Sequence, residues 1–224
     1  MKPSYPRSTR ILQAASRLMA YYGFDKTSMD DIAREAGVSK GALYLEWPGK
    51  DALFDALLNF EMGRLLADLR ERVERDPQGG QLARLYGHTL LALKANPLIA
   101  ALYTRDSRVL GDFVHRQDPR RYTERLLLGK DVIAGMQAAG QLRADIPPEV
   151  MAYLFAMIAL GFASIGSLVP AGEAPPLETV VDGLAALVER GLGAGGGEVG
   201  KEGWLKMIDK MREQASTLTP GPSP

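Results

Sequence analysis

The run SMDDIAREAGVSKGALYLEWPGK, residues 28–50, decides the fold. Ser28 stands just before a helical run with Asp31 three places on, close to a capping box but with Asp where Glu or Gln is usual. Met29, Ile32, Ala33 and Ala36 recur at helical spacing, so one face of this helix is apolar. Gly37 follows at once and suits a helix end that needs positive φ. Ser39 offers a second N-cap, and residues 40–47 read as a second helix with Leu43 and Trp47 on one side, Trp47 as core. Pro48 and Gly49 stop it. Two short helices about a glycine-containing turn make a helix-turn-helix, the unit that lays its second helix in the DNA major groove.

Working outward, residues 7–22 form a preceding helix in which Ile11, Leu12, Ala15, Leu18, Met19 and Tyr22 make an apolar stripe, read as core. Gly23 ends it, and Phe24 is expected to pack beneath the next helix as a hydrophobic staple. A long helix then runs over residues 51–75. The wider run GFDKTSMDDIAREAGVSKGALY, continued by Trp47-Pro48, Lys50-Asp51 and Leu53-Phe54, resembles the N-terminal domain of TetR-type (TetR/AcrR) transcriptional regulators. The resemblance covers about residues 5–65. It implies an all-α protein with a three-helix N-terminal helix-turn-helix DNA-binding domain over 5–65. A helical ligand-binding and dimerisation domain over 66–193 would follow, with 194–224 left as an extension outside the family pattern.

Position in the helix-turn-helix gives each residue its expected role. Ser28 and Thr27 lie at a helix N-terminus, where hydroxyls and backbone N–H groups can bind phosphate; Ser28 is equally an N-cap. Lys40 opens the recognition helix on its outward side and is the foremost DNA-contact candidate. Ser39, Gly41, Ala42 and Leu45 complete the expected DNA-facing set, the small residues permitting close backbone approach to DNA or to the preceding helix. Tyr44 resembles the tyrosine with which the family touches backbone or a thymine methyl, and Lys50 resembles its phosphate-clamping lysine. Glu46 departs from the family pattern, which often has His or Tyr there. Its carboxylate either accepts a hydrogen bond from cytosine N4 or pairs with a nearby cation such as Lys50.

At 224 residues and 46% hydrophobic, the chain has the length and composition of a globular protein with a sizeable core. It holds no cysteine, which excludes disulfides and thiolate metal sites, and its two histidines are too few for an all-protein metal centre. The formal net charge is zero, but residues 1–50 carry eight basic against five acidic side chains, a net of +3. Phosphate attraction must therefore come from placement and from helix N-termini rather than from bulk charge. The first residues hold no long apolar stretch, so a secretory signal is not expected and cytoplasm is the expected compartment.

Beyond the long helix, further helices are expected over residues 81–95, 97–106, 122–139 and 177–192. His115, Arg116, Arg120, Arg121 and Arg125 form a basic cluster, read as solvated surface over an anion site. Glu149 is followed by twenty uncharged residues, enough to cross a bilayer. The preferred reading is a helix buried on nearly every side between its own domain and a partner subunit, without a membrane. With residues 177–192 it would supply a four-helix dimer interface. Past Leu192 a Gly-rich linker leads to a short amphipathic helix carrying Trp204, Leu205, Ile208, Met211 and Ala215, then a tail rich in Pro. No phosphate loop, H-E-x-x-H or G-x-S-x-G occurs, so no enzyme constellation and no cofactor are expected, and His88 is read as a core or pocket residue.

The expected function is a homodimeric repressor that binds an inverted-repeat operator through residues 28–47. The family resemblance implies its release by a small molecule. Tyr86, Tyr103, Phe113, Met136, Tyr153, Phe155, Met157 and Phe162 are the candidate pocket residues, and their Met and aromatic character points to an apolar or amphipathic ligand. The alternative is a helical small-molecule binder or enzyme whose head has lost DNA binding.

Overall fold

The computed structural model describes residues 5–113, 130–166, 168–170, 172–195 and 200–217. The basic cluster at 115–125 lies outside them. Among the described residues every regular element is a helix: α1 Arg7–Tyr22, α2 Met29–Ala36, α3 Lys40–Glu46, α4 Lys50–Arg75, α5 Leu82–Lys94, α6 Pro97–Thr104, α7 Ser107–Leu110, α8 Lys130–Ala138, α9 Pro148–Ile165, α10 Leu177–Leu192 and α11 Lys201–Thr217. One isolated bridge joins Leu142 to Gly193. Of these residues, those up to Arg64, from Asn96 to Phe113 and from Arg212 onward form one compact unit, and those of 65–95 and 130–211 a second.

In the first unit the helix ends follow their caps. Ser28 accepts the N–H of Asp31 while the Asp31 carboxylate accepts the N–H of Ser28, a complete capping box. Gly37 closes α2 in the left-handed region at φ 65°. Ser39 caps α3 by accepting the N–H of Ala42. The core gathers Ile11, Met19, Phe24, Ile32, Leu43, Leu53, Phe54 and Leu57. Phe24 meets Phe54 at 4.9 Å and Phe113 at 5.3 Å between ring centroids, and Phe54 meets Phe113 at 4.5 Å. Offset and edge-on contacts of this kind add to the area that three rings bury.

Residues 96–113 thus pack with the head, beyond the boundary expected near residue 65. Asn96 caps α6 and donates to the backbone and carboxylate of the buried Glu61 at 3.1 and 2.8 Å. Phe24 N–H donates to Val109 O at 2.8 Å. At Gly23, where φ is 85°, a Cβ would stand 2.4 Å from Arg108 O, so only glycine admits that approach. Four expected core residues are not fully buried: Leu12 and Leu18 are half-buried on the flank of the α1 stripe, Tyr22 is 54% exposed at its last turn, and Trp47 is half-exposed because α3 has already ended at Glu46.

In the second unit α5 packs along α10, with Gly87 giving room: a Cβ there would lie 3.3 Å from Val181 Cγ1. Glu189 of α10 accepts the N–H of Ala83 at 2.9 Å, capping α5 from outside, since Gln81 makes no side-chain cap. Asp76 accepts from the Gln78 N–H, from Arg84 at 2.6 Å and pairs with His88 at 2.8 Å. Burial opposes its charge, but these partners outweigh it and hold its carboxyl down at about 2. His88 is therefore a hydrogen-bond partner of Asp76 in this cluster. The C-terminal amphipathic helix folds back: Trp204 and Ile208 of α11 are buried, Trp204 Nε1 donates to Gly80 O at 2.9 Å, and Asp209 pairs with Arg70 at 3.0 Å.

Candidate nucleic-acid interface

The recognition helix α3 is seven residues long and anchors one fully buried side chain, Leu43. Helical rotation then turns Lys40, Gly41, Tyr44 and Leu45 outward together, and all four are exposed, Leu45 at 80%. A Cβ built on Gly41 meets nothing within 4 Å, so its smallness serves no packing against α2 and leaves the helix surface low for an approaching groove. Ala42 is half-buried, and Ser28 and Ser39 are exposed at the N-termini of α2 and α3.

Lys40 and Tyr44 stand close, the ammonium 6.0 Å from the ring centroid. Lys40 also bridges to Asp30 of α2 at 2.8 Å. The Asp30 hydrogen bond and charge push the Lys40 pKa above its ordinary value, so it is a full cation at neutral pH. Both side chains are well exposed, and such a bridge is weak enough for phosphate to displace it.

Two expected phosphate ligands are placed otherwise. Thr27 is buried, and its hydroxyl donates to Gly23 O at 2.8 Å, which takes it out of the exposed set. Lys50, half-buried at the start of α4, donates to Phe24 O at 3.0 Å and Thr27 O at 3.2 Å, and lies 4.3 Å over the Phe24 ring. Its charge is spent on carbonyls of the loop before α2, which fixes that helix. The Glu46 carboxylate pairs with Arg7 at 2.5 Å, 39 residues away, and Lys50 is not its partner. No local pattern signals that pair, because its ends meet only once α1 and α3 are packed.

The candidate pocket residues separate. Tyr103 and Phe113 belong to the first unit, Phe113 within the ring cluster of the head. In the second unit Tyr86, Met136, Phe155 and Phe162 are buried, with Tyr86 and Phe155 rings 5.2 Å apart. Tyr153 and Met157 are not: at 62% and 47% exposure they join Val150, Leu160 and Ile165 in an apolar stripe along the outside of α9. That helix is long and apolar enough to cross a bilayer, and 22% of it is buried within the chain. Leu187 of α10 is also exposed, at 58%.

Residues 11–57 match the family of bacterial regulatory proteins, tetR family. The HTH-type transcriptional regulator UidR of Escherichia coli K12 is 38% identical over 69 residues, which is 31% of this chain and 35% of UidR. The chain spans between 17% and 37% of the length of the first curated relatives it matches. Over more of the chain the likeness is one of fold. The fatty acid degradation regulator FadR of Bacillus halodurans matches with a TM-score of 0.58 at 17% identity, over 85% of this chain and 98% of that one. AibR, solved with isovaleryl coenzyme A and operator DNA, matches with a TM-score of 0.54 at 20% identity, over 81% and 97%.

Proposed function

We propose that this chain, whose N-terminal domain is of the tetR family of bacterial regulatory proteins, is a homodimeric transcriptional repressor that acts in the cytoplasm. The observation that carries the reading is α3, which anchors Leu43 in the head and presents Lys40, Gly41, Tyr44 and Leu45 to solvent on one side. Lys40 exchanges Asp30 for a phosphate, Tyr44 and Leu45 offer apolar contact to base methyls, and the N-termini of α2 and α3 supply N–H groups with Ser28 and Ser39. Thr27 and Lys50 serve by holding the loop that aims α2.

The apolar stripe of α9, with Leu187 of α10, supports a symmetric dimer in which two copies cover each other's exposed residues. Two heads related by a twofold axis would place their recognition helices in successive major grooves roughly 34 Å or more apart, and the operator would be an inverted repeat. The effector is a small apolar or amphipathic molecule, for which buried Tyr86, Met136, Phe155 and Phe162 supply suitable walls. AibR, bound to an acyl thioester and to operator DNA, offers a precedent for such an amphipathic effector on this fold. Release follows if the ligand favours a body shape whose heads no longer fit successive grooves, which demands different affinities for the two shapes. The competing reading, a head that has lost DNA binding, leaned on Glu46 and on the small basic excess. Arg7 neutralises Glu46, which removes the first of these supports.

Selection of bound duplexes from a random-sequence pool tests the proposal. The expected product is an inverted repeat with half-sites about one turn apart. Recovery of unselected sequence, with the protein folded and free of ligand, would refute it.

A further inference from the structure

We propose that Glu46 is a positioning residue of the DNA-binding head, which anchors the last turn of α3 to Arg7 and reads no base. The inference rests on the DNA-binding reading above. Three observations carry it.

The first is direction. Glu46 is half-buried against the head, whereas Lys40, Tyr44 and Leu45 are exposed. Its side chain is 21% exposed against 50% for Arg7, and its Oε1 sits 2.5 Å from Arg7 Nε. To accept from a cytosine N4 it would have to leave a charge-assisted bond and swing to the other side of the helix.

The second is mechanical. A helix with a single fully buried side chain has little apolar surface to fix its direction. Three ion pairs join the three helices in turn: Arg17–Glu35 ties α1 to α2, Asp30–Lys40 ties α2 to α3, and Arg7–Glu46 ties α3 to α1. When Lys40 leaves Asp30 for DNA, Arg7–Glu46 is the pair that still holds α3.

The third is electrostatic. An unpaired carboxylate at this end of the recognition helix would repel phosphate, and Arg7 cancels that charge where it arises.

The test compares wild type with Glu46→Gln, Arg7→Glu, Glu46→Arg and the Arg7→Glu/Glu46→Arg swap. Each protein goes through the random-duplex selection and then a measurement of selected over unselected affinity. Glu46→Gln should return the wild-type consensus at every base position. Each single reversal, which sets two like charges side by side, should lower the selectivity ratio on the order of fivefold or more. The swap should restore it to within about threefold of wild type. Loss of preference at one base position in Glu46→Gln, or a swap no better than the single reversals, would overturn the proposal. If wild type itself selects no sequence, the DNA-binding reading fails instead. Thermal unfolding of the same proteins still decides the pair, since rescue by the swap supports the anchor and its absence overturns it.

Discussion

Replacing Lys50 by Met separates a residue that shapes the head from one that grips DNA. The substitution keeps the length and apolar stem of the side chain and removes its charge. Lost with the charge are hydrogen bonds to Phe24 O at 3.0 Å and Thr27 O at 3.2 Å and the contact 4.3 Å above the Phe24 ring. A hydrogen bond to a charged group contributes about 1.5–3 kcal/mol, and an exposed cation–π contact about 0.5–1 kcal/mol. Lys50 is only half-buried and water can replace it at the carbonyls, so the total falls below the summed low ends, at about 2 kcal/mol. For a chain of this size that is a fall in Tm of about 4–8 °C. Thermal unfolding by circular dichroism reads the fall. Amide exchange over residues 23–28 should speed up on the order of thirtyfold if the loop opens locally. DNA affinity should drop, but the slope of its logarithm against salt should stay as in wild type, because no phosphate contact is lost. Unchanged Tm and unchanged exchange, with a salt slope lower by about one, would refute the reasoning and make Lys50 a direct phosphate ligand.

Three further outcomes follow from the second unit. Asp76 has its carboxyl lowered from 3.8 to about 2 in the fold, so its contribution is complete above pH 4 and is lost as pH falls through about 2. The gap in urea midpoint between wild type and Asp76→Asn should therefore shrink between pH 4 and about pH 2; a gap independent of pH would contradict the assignment. Trp204→Ala should cost about 3–5 kcal/mol of stability in urea, and Trp204→Phe, which loses the bond to Gly80 and part of the ring volume, about 1–2 kcal/mol. A cost under about 0.5 kcal/mol for Trp204→Ala would mean that α11 is a loose appendage. Leu160→Glu combined with Tyr153→Glu should convert a dimer to a folded monomer by light scattering, and a dimer that survives both would place the interface elsewhere.

Local rules reached far in the head. α1 and α2 begin and end where the sequence says, because Ser28, Asp31, Gly23 and Gly37 act on their own neighbours. Packing across long separations was not legible. Nothing near Phe24 signals Phe113, and nothing near Glu46 signals Arg7, since each pair is brought together only by the fold. Periodicity failed where it gives no direction. The α9 run is apolar all round, so its pattern could not tell that Phe155 and Phe162 face inward while Tyr153 and Met157 face out. Trp47 and Tyr22 sit at helix ends, where one residue more or less of helix decides burial. The docking of α11 was legible as an amphipathic pattern but not as a destination. Trp204 needed the Gly80 carbonyl, 124 residues away, to complete it.

The central claim is that α3 holds operator DNA through Lys40 and Tyr44. The most direct measurement is a binding titration on the selected duplex at several salt concentrations, for wild type, Lys40→Ala and Tyr44→Ala. Expected are selective wild-type binding with a steep salt slope, a slope lower by about one in Lys40→Ala, and weaker binding at unchanged slope in Tyr44→Ala if its ring contacts a base methyl. Wild-type affinity and slope retained in both variants would contradict it.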